Sequence, residues 1–431
     1  MISLLRRCSS SIVKRGTFEA ARRLSVAADC VVGKQNTHAA PKMLASSYIS
    51  HYGLKCFKSA GFVRYAAMQF TQRRTYRGVK MYTACWQLQR TVIHCNENRF
   101  HEKPEGISYS VQYIDTAANM APEVRVDFPV ILGIPACPGT HKDLMDLMRP
   151  FVTEGMRVVI MNCPGSEYVR SGKMLGEAFK PDHDESPFFT QTVAERTLFT
   201  IQLLAALGIE QIDLAVAHSN AASPLLLFMN AGPMVKAGMF INATPVQRSG
   251  KLARPAWMTK LIMMADPTPG FGRVFLDRMS SILFKGAGLR NYSPNERLAG
   301  IQAAVGASNA IMVETARVFA DKSEIPFSFV YTAKDPLIRV KDFADYASLL
   351  GITREDTILM KPGIDVVSVD SRAKRRAMVF NMASHYPHYN ATVKQYIRNE
   401  CIHLLAQSMS SEMDQSISAD VPVTPDTAVS Q

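Results

Sequence analysis

From about residue 107 onward the chain alternates between two spacings of apolar residues. Short runs of strand character lie at 109–114, 124–128, 130–134, 157–161, 212–216, 237–241, 327–331 and 357–360. Between them, apolar residues recur at intervals of three and four. Leu144, Leu147, Met148 and Phe151 mark one such helix, 193–207 a second that Gly208 ends, and a third follows His218-Ser219-Asn220-Ala221-Ala222 and runs through Met229. Two more span 342–350 and 391–406. The linker after 157–161 reads as the breaker Asn162-Cys163-Pro164-Gly165 and a long polar loop. Short apolar strands alternating with helices predict an α/β fold, a mostly parallel sheet covered on both faces, with functional groups gathered at the carboxyl ends of its strands.

The alternation stops between 243 and 324, an interval too long for a crossover, with its own helical patches at 257–264 and 297–319. The simplest organisation is a core of 97–246 and 324–406 interrupted by a helical cap at 247–323. Trp257, Met263, Met264, Phe275 and Met279 suit an adaptable apolar pocket in that cap as well as plain packing. Residues 407–431, rich in Ser and Asp and free of Lys and Arg, read as a disordered tail. No apolar run reaches the ~18 residues of a membrane-spanning helix.

Charge changes the picture only at one end. The formal net charge is +12, from 49 Lys and Arg against 37 Asp and Glu. Residues 1–96 hold 16 of the basic residues and only two acids, Glu19 and Asp29, so the remainder carries 33 basic and 35 acidic residues. The basic excess therefore belongs to a leader, read here as largely disordered, and no nucleic-acid-binding domain is expected. In the first 25 residues Ile2, Leu5, Ile12, Val13, Phe18, Ala21 and Leu24 can share one side of a helix, with Arg6, Arg7, Lys14, Arg15, Arg22 and Arg23 on the rest. That is the composition of a mitochondrial presequence; the alternative is an uncleaved basic extension on a cytoplasmic protein. Five of the eight cysteines fall in the leader without zinc spacing, and no C-x-x-C occurs, which suits a reduced compartment. The ten histidines form no H-x-x-x-H or H-E-x-x-H pattern, so no metal is expected.

The chemistry-bearing segment is Ala217-His218-Ser219-Asn220-Ala221, at a strand-to-helix junction. A serine on such a bend lifts its hydroxyl above the sheet edge. Glycines usually flank it; here both flanks are alanine, which adds two methyls and tolerates positive φ poorly. The bland alternative is a Ser-Asn helix cap. A serine hydroxyl needs a base, and the base needs an acid to orient it. Asp335 follows the strand at 327–331, and His385 follows the apolar run 378–382 just before the last helix. His385 is the expected base and His388 the alternative. An oxyanion needs two N–H donors. Asn220, next after the serine, supplies one; in the loop 133–139, Pro135 and Pro138 have none, leaving Ala136 or Cys137, of which Cys137 is better placed.

These residues, with Pro138-Gly139 after the third strand and Asn162-Cys163-Pro164-Gly165 after the fourth, resemble the α/β-hydrolase superfamily. More narrowly, Pro138-Gly139-Thr140-His141-Lys142-Asp143, Arg376, Val379-Phe380 and His385-Tyr386 resemble a nematode-rich family of α/β-hydrolase-like proteins over residues 105–406. The chain departs from that pattern at Pro135-Ala136, where His-Gly is common, and at Ser384, where glycine is common. The resemblance implies a serine hydrolase of esterase, thioesterase or amidase type, needing no cofactor or metal. The substrate class is read instead from the Met-rich insertion, which suits a small molecule with an apolar acyl group. The competing expectation is an inactive relative that only binds a ligand or partner.

Overall fold

The computed structural model describes residues 86–95, 107–125, 128–175, 178–181, 191–232, 234–247, 278–282, 284–285, 292–307, 310–360 and 373–419. Its strands are β1 (Leu88–Cys95), β2 (Ile107–Asp115), β3 (Val130–Ile134), β4 (Arg157–Ile160), β5 (Val169–Leu175), β6 (Ala178–Pro181), β7 (Leu214–His218), β8 (Gly238–Ile241), β9 (Phe327–Thr332), β10 (Thr357–Met360) and β11 (Arg375–Phe380). The helices used below are α1 (Pro122–Arg125), α2 (His141–Thr153), α3 (Val193–Ala206), α4 (Ala222–Ala231), α5 (Pro294–Ala307), α6 (Ala310–Lys322), α7 (Val340–Leu349) and α8 (Ala391–Ala419).

One sheet runs in the order β10-β11-β9-β8-β7-β3-β4-β2-β5-β6, with β1 also paired to β2. Strands from β10 to β4 are mutually parallel, whereas β2 runs antiparallel to β1, β4 and β5. Antiparallel β1–β2 followed by this crossed parallel order is the arrangement of the α/β-hydrolase fold.

Strand alternation sorts the core into two layers. Leu132, Ala215, Phe240, Phe329 and Val379 face the layer shared with Phe199, Leu225, Phe319 and Phe343 of α3, α4, α6 and α7. Ile131, Leu214, Met239, Val330 and Met378 face the other, with Leu144, Met148 and Phe151 of α2 and Ile397 and Leu404 of α8. Both faces are thus covered, which is why these strands read as continuous apolar runs. α3 starts at Thr192, whose Oγ1 accepts the Glu195 N–H at 3.2 Å, and gives way to Gly208 at φ +65°.

Several boundaries differ from the expectation. β1 lies inside the segment read as a leader and pairs residue by residue with β2. Residues 122–125 form helix α1 where a strand at 124–128 was expected, and Arg125 Nε donates to Met120 O at 2.7 Å to close it. The polar loop after β4 contains the antiparallel pair β5–β6. α8 continues through Ala419 into the segment expected as tail. The presequence, the patch 257–264 and residues 420–431 lie outside the described residues.

Candidate active site

Strands β11, β9, β8, β7 and β3 are consecutive neighbours, so their carboxyl ends form one rim. Register aligns the ends closely: His218 pairs with Ile241, Ile241 with Val330, and Thr332 with Phe380. Ser219, Asn242, Asp335 and His385 all leave the sheet along that rim.

The chain turns from β7 into a single 3-10 turn, Ser219–Ala221, and then α4. Ser219 has φ +54°, a left-handed backbone that costs a non-glycine residue energy and lifts the hydroxyl off the strand axis. Neither flanking alanine shares that conformation: Ala217 is still in β7 and Ala221 has φ −74°. Glycine is thus not required at either flank on backbone grounds, contrary to the expectation.

Ser219 Oγ donates to His385 Nε2 at 2.8 Å, and His385 Nδ1 donates to Asp335 Oδ2 at 2.7 Å. The three side chains are buried, Ser219 being 7% exposed, His385 5% and Asp335 8%. Asp335 Oδ1 accepts the N–H groups of Leu337 at 2.7 Å and Ile338 at 3.0 Å, so the loop after β9 folds around its own carboxylate. The result is a proton path from hydroxyl to imidazole with a fixed tautomer.

Two residues outside that path hold His385 and Asp335 in place. His218 Nε2 donates to His385 O at 2.9 Å, and its ring packs on those of His385, Tyr386 and His388. Burial first, then the neighbouring His388 and His385, push the His218 pKa well below its ordinary 6.5, so it stays neutral. Asn242, itself at φ +42°, donates to Asp335 Oδ2 at 2.9 Å. Thr244 Oγ1 lies 3.4 Å from Ser219 Oγ.

The expected alternative base, His388, is not brought to the serine. Its Nε2 donates to Asp143 O at 2.9 Å, at the start of α2, and Tyr389 Oη donates to Asp143 Oδ1 at 2.9 Å. These bonds tether the loop carrying His385 to the helix that follows the loop after β3.

The expected oxyanion donors are arranged differently from the sequence reading. The Cys137 N–H donates to Asn220 Oδ1 at 2.8 Å, and Asn220 Nδ2 donates back to Cys137 O at 2.8 Å. Arg196, buried in α3, donates to Asn220 O and Oδ1, both at 3.1 Å. The reason is reach: an asparagine carboxamide offers one acceptor and one donor side by side, which match the backbone N–H and C=O of the single residue Cys137 and close a two-bond clamp across the rim. The Cys137 thiol is pushed well above its ordinary pKa by burial and then by neighbouring Cys163, which disfavours the thiolate.

Helix α5 packs on the same loop. Ala299 and Ala303 pack with Cys137 and Cys163, and a Cβ at Gly300 would stand 2.7 Å from Pro138 Cδ and 3.2 Å from Cys137 O. Among the described residues no group of three or more His, Cys, Asp or Glu could hold a metal ion, and no helix is long and apolar enough to cross a membrane.

Sequence reasoning missed His218 as a support, Asn242 and Arg196. The first two occupy strand-end positions on the rim, which was the available signal; Arg196 gave none beyond a cation amid the apolar spacing of α3.

No protein-family model matches the chain, and no curated protein matches it. Among solved structures it is similar to a haloalkane dehalogenase loop variant from Bradyrhizobium elkanii, at 14% identity and TM-score 0.46, covering 75% of this chain and 100% of that one. It is also similar to a thermophilic esterase from Thermogutta terrifontis, at 14% identity and TM-score 0.45, covering 73% and 99%. A meta-cleavage product hydrolase from Pseudomonas fluorescens IP01 has 11% identity and TM-score 0.42, covering 70% and 95%.

Proposed function

We propose that this chain is a serine hydrolase cleaving an ester, thioester or amide bond in a small molecule with an apolar acyl group. The observation that carries the reading is the continuous hydrogen-bonded path Ser219–His385–Asp335. As Ser219 Oγ attacks the carbonyl carbon, its proton passes to His385 Nε2, and Asp335 stabilises the imidazolium through Nδ1–H. Collapse of the tetrahedral intermediate breaks the bond to the leaving group, which takes the proton from His385. A water molecule, deprotonated by His385, then releases the acid and restores Ser219. Asn220 N–H supplies one oxyanion donor. For Cys137 N–H to supply the other, the Asn220 carboxamide has to swing off it. The apolar acyl preference rests on the methionines and aromatics of the insertion, which we propose acts as a cap; the narrower likeness to the nematode-rich family adds no substrate.

One observation favours the competing reading of an inactive binding protein: the Cys137 N–H is already taken by Asn220 Oδ1. Reaction of the purified protein with a fluorophosphonate probe separates the two. Wild type is expected to label and Ser219→Ala to stay unlabelled; unlabelled, folded wild type defeats the hydrolase reading. We further propose that the basic leader directs the chain to mitochondria, in which case the amino terminus of the protein recovered from that organelle lies beyond Ser25. An intact Met1 in a cytosolic fraction would count against it.

A further inference from the structure

We propose that Asn242 is a positioning residue of this site: its side-chain amide ties the carboxylate of Asp335 to the backbone of the residue that carries the base. The inference rests on the hydrolase reading for its kinetic consequence and on geometry alone for its structural one.

Asn242 is the first residue past β8, between the strand that delivers Ser219 and the strand that delivers Asp335. Its left-handed backbone, φ +42°, is one that asparagine tolerates better than most residues. From there Nδ2 faces four acceptors: Asp335 Oδ2 at 2.9 Å, Ser384 O at 3.0 Å, His385 O at 3.2 Å and Thr332 Oγ1 at 3.2 Å. Two amide hydrogens are shared among them, so the group sits where the three segments meet. Asp335 Oδ2 is the oxygen that receives His385 Nδ1–H, while Oδ1 is taken by two backbone N–H groups. The amide therefore fixes the rotation of the carboxylate about the one oxygen the base uses. It also holds the carbonyl of His385, which His218 Nε2 holds as well.

Joining β8 to β9 does not require this amide. The Asn242 N–H reaches Val330 O at 2.8 Å, and Asn242 Oδ1 accepts the Thr332 N–H at 3.0 Å. The amide half touches β9 only through the Thr332 hydroxyl; its other acceptors are the Asp335 carboxylate in the loop after β9 and the carbonyls of Ser384 and His385 after β11, so the two halves are separable by mutation. The groups facing the His385 ring are Asp335 from the loop after β9, Ser219 and His218 from the end of β7, and Tyr386 beside it.

Asn242→Asp keeps shape, backbone tolerance and the Thr332 acceptor but replaces the donor with an oxygen facing Asp335. Asn242→Gly accepts the backbone and removes both halves. Two measurements are made on each folded variant: the proton NMR resonance of His385 Nδ1–H, and hydrolysis of p-nitrophenyl butyrate. We expect the resonance to be displaced or lost in both variants, and kcat to fall about 10- to 100-fold with KM changed by no more than about twofold, the mark of misplaced groups rather than lost binding. Asn242→Asp with wild-type resonance and wild-type kcat overturns the proposal; should that variant not fold, the same result in Asn242→Gly does so. If wild type neither hydrolyses the ester nor takes a fluorophosphonate, the hydrolase reading fails. The resonance, which needs no turnover, still decides for or against Asn242.

Discussion

At Ser219 the backbone stands at φ +54°, a conformation that costs an L-residue about 1–2 kcal/mol. Ser219→Gly and Ser219→Ala both delete the hydroxyl, so their difference isolates the backbone. The glycine variant should be the more stable by about 0.5–1 kcal/mol after allowing for its freer unfolded chain, read from urea midpoints. Equal midpoints would mean the bend is unstrained. His218 makes a pH prediction. Its folded pKa lies well below 6.5, so above that value it is neutral in both states and stability is unaffected. As pH falls below 6.5 the unfolded chain binds a proton that the native state refuses, and stability drops by up to about 1.4 kcal/mol per unit until the folded pKa is reached. His218→Asn should flatten the urea-midpoint curve between pH 7 and 5; an unchanged slope assigns the acid sensitivity elsewhere. Ser219, Asp335 and His385 were legible because each sits just past an apolar strand run or just before a helix. The Asn220–Cys137 clamp was not, because it joins residues 83 apart and depends on how closely two loops approach.

Elements with one-sided burial explain most of the misread boundaries. β1 escaped notice because its alternation is disguised: Leu88 and Val92 are exposed, and only Ile93 and Cys95 bury apolar side chains. The run Val124-Arg125-Val126-Asp127-Phe128 alternates like a strand, but Pro122 starts a helical turn there instead. β5 and β6 carry the exposed charges of Arg170 and Lys180, of the kind that protects sheet edges, and such polarity reads as loop. The parallel strands, buried on both faces, were plain. Helix α5 yields a prediction of reversed sign. Gly→Ala inside a helix ordinarily stabilises by about 1 kcal/mol. At Gly300 the new methyl meets the Pro138 ring at 2.7 Å, so Gly300→Ala should instead destabilise by about 1–3 kcal/mol in urea. Stabilisation there would show that α5 has room to move off the loop.

Across the whole molecule, β11 and α8 are joined by a buried ion pair. Arg376 Nε donates to Glu400 Oε1 at 2.6 Å, the second Arg376 bond runs to Oε2, and Ser328 of β9 also donates to Glu400. Arg376→Met strands a carboxylate that is fully buried, and should cost about 3–5 kcal/mol of unfolding free energy. Arg376→Met with Glu400→Leu should recover most of that loss; failure to recover would place the cost in packing. The same region governs how the molecule comes into being. β11 sits between β10 and β9, both made before it, so a chain emerging from the ribosome has a vacant slot in its sheet until residues 375–380 arrive. Only then is His385 delivered, 166 residues after the serine it meets. A nascent or carboxyl-truncated chain therefore holds Ser219 without its imidazole partner, and the hydrogen-bonded path between them is completed once, with the closing of the last gap.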